Sequence, residues 1–331
     1  MRKNAKAILV TLLVLVLIFS MVGCSKPVVT ETAEPSAEVP EAKTPTIAVL
    51  IPGPVGYFVA VRKGIDEAAA KYKVKIEYAD ADWDSAKQLS QVEDFISKQV
   101  DMIAVCSVDA EAVKPAVDAA KAANIPILAF TNAVGTDPTG KYDGLVSYVG
   151  QNEVKTGELC GKIALQLLGD KGGDVVMIEG RPGTPPQINR REGFINAIKA
   201  QSNVKDVYTQ TSNWEKEQAM KIVEDLIQKK MNMDLIFCQD DNSAIGAGMA
   251  LQEAGLKERV YVIGLGGSID GLQAIKDGLM DCTTFMSAAQ EGFVAIETCS
   301  KYLKGEKVES VTEIVQVEVN KDNIDKFKGE W

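Results

Sequence analysis

Glycines crowd one stretch, "VIGLGGSIDG" (262–271), where an apolar strand runs into Gly264, Gly266 and Gly267. Such a loop cradles phosphate when it reads G-x-x-x-x-G-K-[ST], or a dinucleotide when it reads G-x-G-x-x-G in the first strand–helix turn of its unit. Here no lysine follows, Gly271 is out of register and the loop comes late in the chain. Nucleotide chemistry is poorly supported, and Asp270 reads as a helix N-cap or first-turn acid. Asp240 and Asp241 are adjacent carboxylates that could share acid–base work, but sequence neighbours usually point apart, and one of them suits a helix cap near Asn242. "DADWD" (80–84) alternates acids as a calcium loop does, yet Ser85 and Gln91 stand where that loop needs glycine and glutamate. A strand-to-helix turn capped at Asp84 or Ser85 explains it better, with Trp83 or Asp82 in reach of a cleft. The chain has no histidine, which excludes nucleophiles activated by that residue. The usual Cys/His zinc spacings are absent too, because no CxxC pair occurs among the six cysteines. No metal site and no cofactor are expected.

Other stretches suit binding better than catalysis. "GRPGTPPQINRREGF" (180–194) places Pro185 and Pro186 at a helix start, where proline fits the first turn. Arg190 then falls early in that helix, near the mouth of a cleft. A planar guanidinium there could hold two hydroxyl or carboxylate oxygens at once; the plainer alternative is a surface arginine paired with Glu192 or a neighbouring acid. Tyr57 and Phe58 in "PVGYFVAVRKG" and Trp214 in "SNWEKEQA" follow apolar strands. They could stack on a ligand's apolar face, or simply cover the ends of a core.

The elements that must position these residues alternate. Short β-branched runs read as buried strands at 46–51, 74–79, 101–107, 125–130, 174–180, 204–210, 233–239 and 260–266, with amphipathic stretches between most of them. Buried strands alternating with helices indicate α/β architecture with parallel sheets. The alternation breaks between Thr131 and Gly150 and restarts at Asp174, which divides the chain into two series of βα units. The tail, "VTEIVQVEVNKDNIDKF", is strand-like and then helical and could cross from one lobe to the other. No short internal repeat is evident. In open parallel sheets, ligands bind beyond the carboxyl ends of the strands, where most of the residues named above lie.

The first 45 residues are of another kind. Arg2, Lys3 and Lys6 precede an apolar run from Ala7 to Phe19, and "MVGC" ends at Cys24. This reads as a secretory signal, too short for a comfortable membrane span of about 20 residues. "SKPVVTETAEPSAEVPEAKTP" (25–45) is rich in proline and glutamate, without apolar period, and reads as a disordered tether. The formal charge of −10 becomes about −13 once the three leading cations are removed, which argues against nucleic acid as a partner.

Taken together, "YFVAVRKGIDEAA", "DADWDSAKQLSQVEDFISKQVDMIAV", "KAANIPILAF", "NRREGFINAI", "IFCQDDNSAIGAGMALQEAG", "VIGLGGSIDGLQAIKDG" and "LKGEKV" occur in an order and spacing that resembles the sugar-binding family of type I periplasmic binding proteins, which includes the ribose-binding proteins. The resemblance covers Thr46 to about Phe327. It implies two Rossmann-like parallel-sheet lobes joined by a three-segment hinge, with crossings near Gly150 to Asn152, Met286 to Ser287 and Glu313 to Ile314. The lobes would comprise residues 46–151 plus 287–313 and 152–286 plus 314–331. It further implies a small sugar-like ligand held between the lobes and delivered to the permease of an ABC importer. Carried over by position, the sugar-sandwiching aromatics fall on Tyr57, Phe58 and Trp214, the clamp arginine on Arg190, polar contacts on Thr131 and Asn132, and an acceptor on Asp240. "MVGC" resembles a lipobox, so residues 1–23 would be removed and Cys24 lipidated, anchoring the protein outside the cytoplasm.

Several positions depart from the pattern that the resemblance implies. Gly266 stands where sugar binders usually have aspartate, Val55 where they have asparagine, Thr131 and Asn132 where they have aspartate and arginine, and Met286 where they have glutamine. A site with fewer hydroxyl-directed charges suits a ligand with fewer hydroxyls or a bulkier apolar part. Deoxy sugars, polyols and furanone-type signals are open. A sensory receptor of the same fold is the second expectation, and a hydrolase using Asp240 and Asp241 the third.

Overall fold

The computed structural model describes residues 43–331; the signal, Cys24 and most of the expected tether lie outside them. In the first half, β1 (Thr46–Ile51), α1 (Gly56–Tyr72), β2 (Lys75–Asp80), α2 (Ser85–Ser97), β3 (Met102–Val105), α3 (Lys114–Ala122), β4 (Ile127–Phe130) and β5 (Leu145–Gly150) follow one another. The second series is α4 (Glu153–Leu168), β6 (Gly173–Glu179), α5 (Pro185–Ile198), β7 (Val204–Thr211), α6 (Lys216–Gln228), β8 (Leu235–Cys238), α7 (Asp241–Glu253), β9 (Tyr261–Ile263), α8 (Ile269–Lys276) and β10 (Cys282–Phe285). The chain then closes with α9 (Ala288–Leu303), β11 (Val311–Glu313) and β12 (Val317–Asn320).

Two six-stranded sheets result, with strand orders β11-β5-β4-β3-β1-β2 and β12-β10-β9-β8-β6-β7. Every pairing is parallel except that of β12 with β10. The chain crosses between sheets after β5, after β10 and between β11 and β12, so the two lobes share three crossovers. Strands form here because their residues alternate between two buried faces. Ile47, Val49 and Ile51 of β1 pack in a cluster with residues of α1 and α9, while Ala48 and Leu50 pack in another with residues of α2 and α3. β8 does the same, with Ile236 and Cys238 on one face and Leu235 and Phe237 on the other.

Several expectations need correction in detail. The run 260–266 is a strand only over Tyr261–Ile263; Gly266 makes one isolated bridge to Phe285. "CTTF" (282–285) is a full strand that the runs read from the sequence did not include. The tail contributes one strand to each sheet and then a single 3-10 turn at Ile324–Lys326 rather than a helix. The five cysteines of the described body are all free and buried, as small hydrophobes in the core.

An internal repeat exists as well, as a structural device. After β2, Asp82 and Trp83 both adopt left-handed backbone (φ 50° and 61°); after β7, Asn213 and Trp214 do the same (φ 56° and 69°). The hydrogen bonds match. Ala81 N donates to Ile51 O (3.0 Å) and Asp84 N to Ala81 O (2.9 Å), as Ser212 N donates to Glu179 O (2.8 Å) and Glu215 N to Ser212 O (3.0 Å). "DWD" and "NWE" are thus one turn used twice, too short and too varied to register as a repeat in the sequence.

Candidate ligand-binding site

Between the carboxyl ends of the two sheets lies a cavity of about 120 Å³, comparable to the roughly 150 Å³ that accommodates a benzene ring. All nine residues singled out from the sequence line it: Tyr57, Phe58, Thr131 and Asn132 from the first lobe, Arg190, Trp214, Asp240 and Gly266 from the second, and Met286 at the second crossover.

Its walls are aromatic. Each of the chain's three tryptophans lines the cavity, and each lies against a glycine. A Cβ on Gly53 would fall 2.2 Å from Nε1 of Trp83, and one on Gly180 1.7 Å from Cη2 of Trp214. A Cβ on Gly266 would fall 3.1 Å from Cζ2 of Trp331. Gly266 also holds φ +132°, a conformation that glycine alone adopts freely. The glycine-rich loop thus makes room for an indole rather than a phosphate. The left-handed pairs at 82–83 and 213–214 cost of order 1–2 kcal/mol per residue. They turn the chain sharply enough to bring Trp83 and Trp214 back over the strand ends. Trp331 meets Tyr57 edge to face, with ring centroids 5.1 Å apart, and its backbone oxygen accepts from Ile269 N at 2.9 Å.

The polar floor is a set of bonded pairs. Arg190 lies inside the cleft rather than at its mouth, and the acid it pairs with is Glu153 rather than Glu192. It is 8% exposed, held by Glu153 through two parallel bonds (Nε–Oε2 2.8 Å, Nη2–Oε1 2.7 Å), and it donates from Nη1 to the Gln239 carbonyl at 2.7 Å. Burial works against its charge, but attraction to Glu153 outweighs that and leaves the pKa above its usual value. A guanidinium has five N–H groups, so two remain for a ligand. Asp240, not Asp241, caps α7, accepting from Asn242 N (3.2 Å) and from the Ser243 hydroxyl; burial pushes its pKa up to about 6. Asp241 points elsewhere, accepting from Ser268 N (2.7 Å), Ser268 Oγ (2.9 Å) and Thr283 Oγ1 (2.5 Å). It braces the glycine loop, and burial raises its pKa as well. Asp270 lies in the first turn of α8, and Ser268 is the cap. The two adjacent aspartates are therefore engaged separately, which does not suit a shared acid–base role.

Sequence reasoning missed Glu291. This α9 residue has no exposed surface and lies behind the cavity wall. It accepts from the Tyr57 hydroxyl, from Thr131 Oγ1 (2.7 Å) and from Gln151 Nε2 (2.6 Å). Burial pushes its pKa up to about 7 against these donors, and burial together with Glu291 holds the Tyr57 phenol well above its ordinary value. Gln151, in the first crossover, also lines the cavity, and its Oε1 is buried without a partner. Gln151 falls in the crossing expected near Gly150 to Asn152 but was not singled out as a contact, and Trp331 carried no signal because it follows none of the strand runs read from the sequence. Glu291 was hidden inside an otherwise ordinary amphipathic helix.

The lobes also meet across the cleft. The Arg181 guanidinium lies 5.0 Å from the centre of the Trp83 ring, and Ala110 N donates to Gly183 O at 3.4 Å. Among the described residues no cluster of three or more His, Cys, Asp and Glu side chains could hold a metal. No helix among them is long and apolar enough to cross a membrane.

Comparison with known proteins agrees with this geometry. Residues 47–307 match the model of the periplasmic binding protein domain. The chain is 31% identical over 253 residues to the ribose import binding protein of Bacillus subtilis, covering 76% of this chain and 79% of that protein. Among solved structures, an ABC transporter solute-binding protein of Bacillus halodurans with bound myo-inositol superposes with a TM-score of 0.80 at 27% identity, covering 86% of this chain and 96% of that one. One from Actinobacillus succinogenes with bound D-allose gives 0.78 at 30% identity, covering 86% and 100%.

Proposed function

The chain belongs to the periplasmic binding protein family, and on that premise we propose that it captures a small sugar or polyol between its lobes and hands it to the permease of an ABC importer. The observation that carries this is the cavity itself, which lies at the strand ends of both lobes and is lined from both. A ligand there touches the two halves at once and stabilises the closed arrangement over any open one, as hinge closure requires. The indoles would face the C–H surfaces of the ligand, and Arg190, Asn132, Asp240 and Thr131 its hydroxyls. Residues 46–151 plus 287–313 and residues 152–286 plus 314–331 would move as the two rigid halves. No covalent chemistry is assigned to any residue. The protein works outside the cytoplasm in this scheme, tethered through a lipid on Cys24.

A thermal-shift panel of sugars, deoxy sugars and polyols on the purified protein tests the ligand class. A ligand at 100 times its dissociation constant adds about 2.7 kcal/mol, a shift of several degrees. Stabilisation by one or more of these compounds is expected; stabilisation by amino acids or nucleosides alone would sink the assignment. Metabolic labelling with a radioactive fatty acid tests the anchor, with label expected on the native chain and absent from Cys24→Ala.

A further inference from the structure

We infer that the ligand carries a protonated amine beside its hydroxyls, as an amino sugar or amino polyol does. This rests on the reading of the cleft as a sugar or polyol site and narrows it by charge.

The ionisable groups around the cavity do not balance. Arg190 is the one cation in its lining, and Glu153 already matches it through two bonds. Three further carboxyl groups surround the cavity. Asp240 caps α7 and Asp241 begins it, the latter turned towards Ser268 and Thr283, and Glu291 of α9 lies beneath Tyr57 and Thr131. Every hydrogen bond they receive comes from a neutral donor, whether hydroxyl, amide or backbone N–H. At the mouth, Arg181 over Trp83 and Asp109 beside Gly183 add one charge of each sign. Glu330, next to Trp331, is held by Ser287 Oγ and Ala289 N. The excess is negative. Burial raises the pKa of Asp240, Asp241 and Glu291 alike, while the charge of Arg190 draws that of Asp240 partly back.

Two independent features point to the same occupant. The cavity walls are the indoles of Trp83, Trp214 and Trp331 with the phenol of Tyr57, and aromatic faces attract a desolvated cation. One acceptor beside the cavity is also unpaired. Gln151 is 2% exposed, lines the cavity and leaves Oε1 without a partner. An ammonium group brings three N–H donors and no acceptor, which answers an unpaired amide oxygen and a surplus of carboxylates together. The two unused N–H groups of Arg190 would take hydroxyl oxygens of the same ligand.

Isothermal titration of the purified protein with matched pairs separates the possibilities. Suitable pairs are D-glucose with D-glucosamine, xylitol with 1-amino-1-deoxyxylitol, and myo-inositol with an amino-deoxy-inositol. In at least one pair the amine should bind about tenfold or more tightly than its neutral partner, a difference of roughly 1.4 kcal/mol. That advantage should shrink from about pH 7.5 to about pH 5.5, because the carboxylates take up protons while the amine stays charged. Asp240→Asn should bring the ratio within a pair towards one. If the neutral member binds as well as the amine in every pair that binds, the amine is overturned and the polyol site stands. If no member of any pair binds, both fall together.

Discussion

Arg190 and Glu153 show how one residue can carry two burdens. The pair is buried and bidentate, so Arg190→Ala removes the proposed ligand contact and also strands a carboxylate in the interior. Breaking one side of such a pair typically costs 3–5 kcal/mol, and lost binding in that variant would say little about the ligand. Arg190→Met combined with Glu153→Gln removes both charges at similar volume. Its urea midpoint should recover most of the loss seen in Arg190→Ala, while ligand affinity stays at least tenfold down. Recovery of both would remove Arg190 from the site. Glu291 has a cleaner signature. Its pKa is raised from 4.5 to about 7 in the folded protein, so between those values the native state holds a proton that the unfolded chain releases. Stability from this group is therefore greatest below the lower value and is lost as pH rises towards 7. Glu291→Gln should flatten the fall in melting temperature between about pH 5 and pH 7; an unchanged slope would mean that the carboxyl does not titrate there.

At the scale of elements, the paired left-handed turns bring the indoles into the cleft. A Cβ on Gly180 would fall inside the Trp214 ring, so Gly180→Ala must expel the ring. Overpacking of this kind costs typically 1–3 kcal/mol. In a background where Trp83 and Trp331 are phenylalanine, the emission of Trp214 should shift to the red and ligand affinity should fall about tenfold or more, while the protein stays folded. Unshifted emission would mean that the ring has another resting place. These turns also mark where the sequence was legible and where it was not. The β/α alternation, the two series of units and the residues just after each strand could all be read, because burial on two faces and strand-end placement leave local patterns. The glycine loop was legible only as an oddity. Its purpose depends on Trp331, which lies more than sixty residues away in the chain and meets Gly266 only after the tail has crossed between sheets. Glu291 was invisible for the same reason, since its three donors come from α1, from the residue after β4 and from the first crossover.

For the whole molecule, function turns on how firmly the lobes hold each other, and the two sides of the cleft differ. On the hinge side the contacts are many. Trp331 joins the start of α8 to Tyr57. Glu330 bonds Ser287 Oγ and the backbone N–H of Ala289. Lys155 pairs with Glu313 across the first and third crossovers at 2.8 Å. At the mouth, the Arg181–Trp83 contact and one 3.4 Å hydrogen bond bridge the lobes. On the proposed function such a molecule would open at the mouth and pivot at the hinge, with the free energy of closing coming largely from the ligand. A cation–π contact at a partly exposed position contributes about 0.5–1 kcal/mol. Arg181→Ala should therefore shift the closed-to-open ratio by about two- to five-fold. Small-angle scattering without ligand should show a larger radius of gyration than the parent, and saturating ligand should bring both proteins to the same compact value. Stopped-flow measurement should place most of the lost affinity in a faster off-rate, because the latch acts after the ligand has entered. Equal radii without ligand, together with unchanged off-rates, would mean that the mouth contact contributes nothing to closure and that the hinge side alone sets the resting geometry.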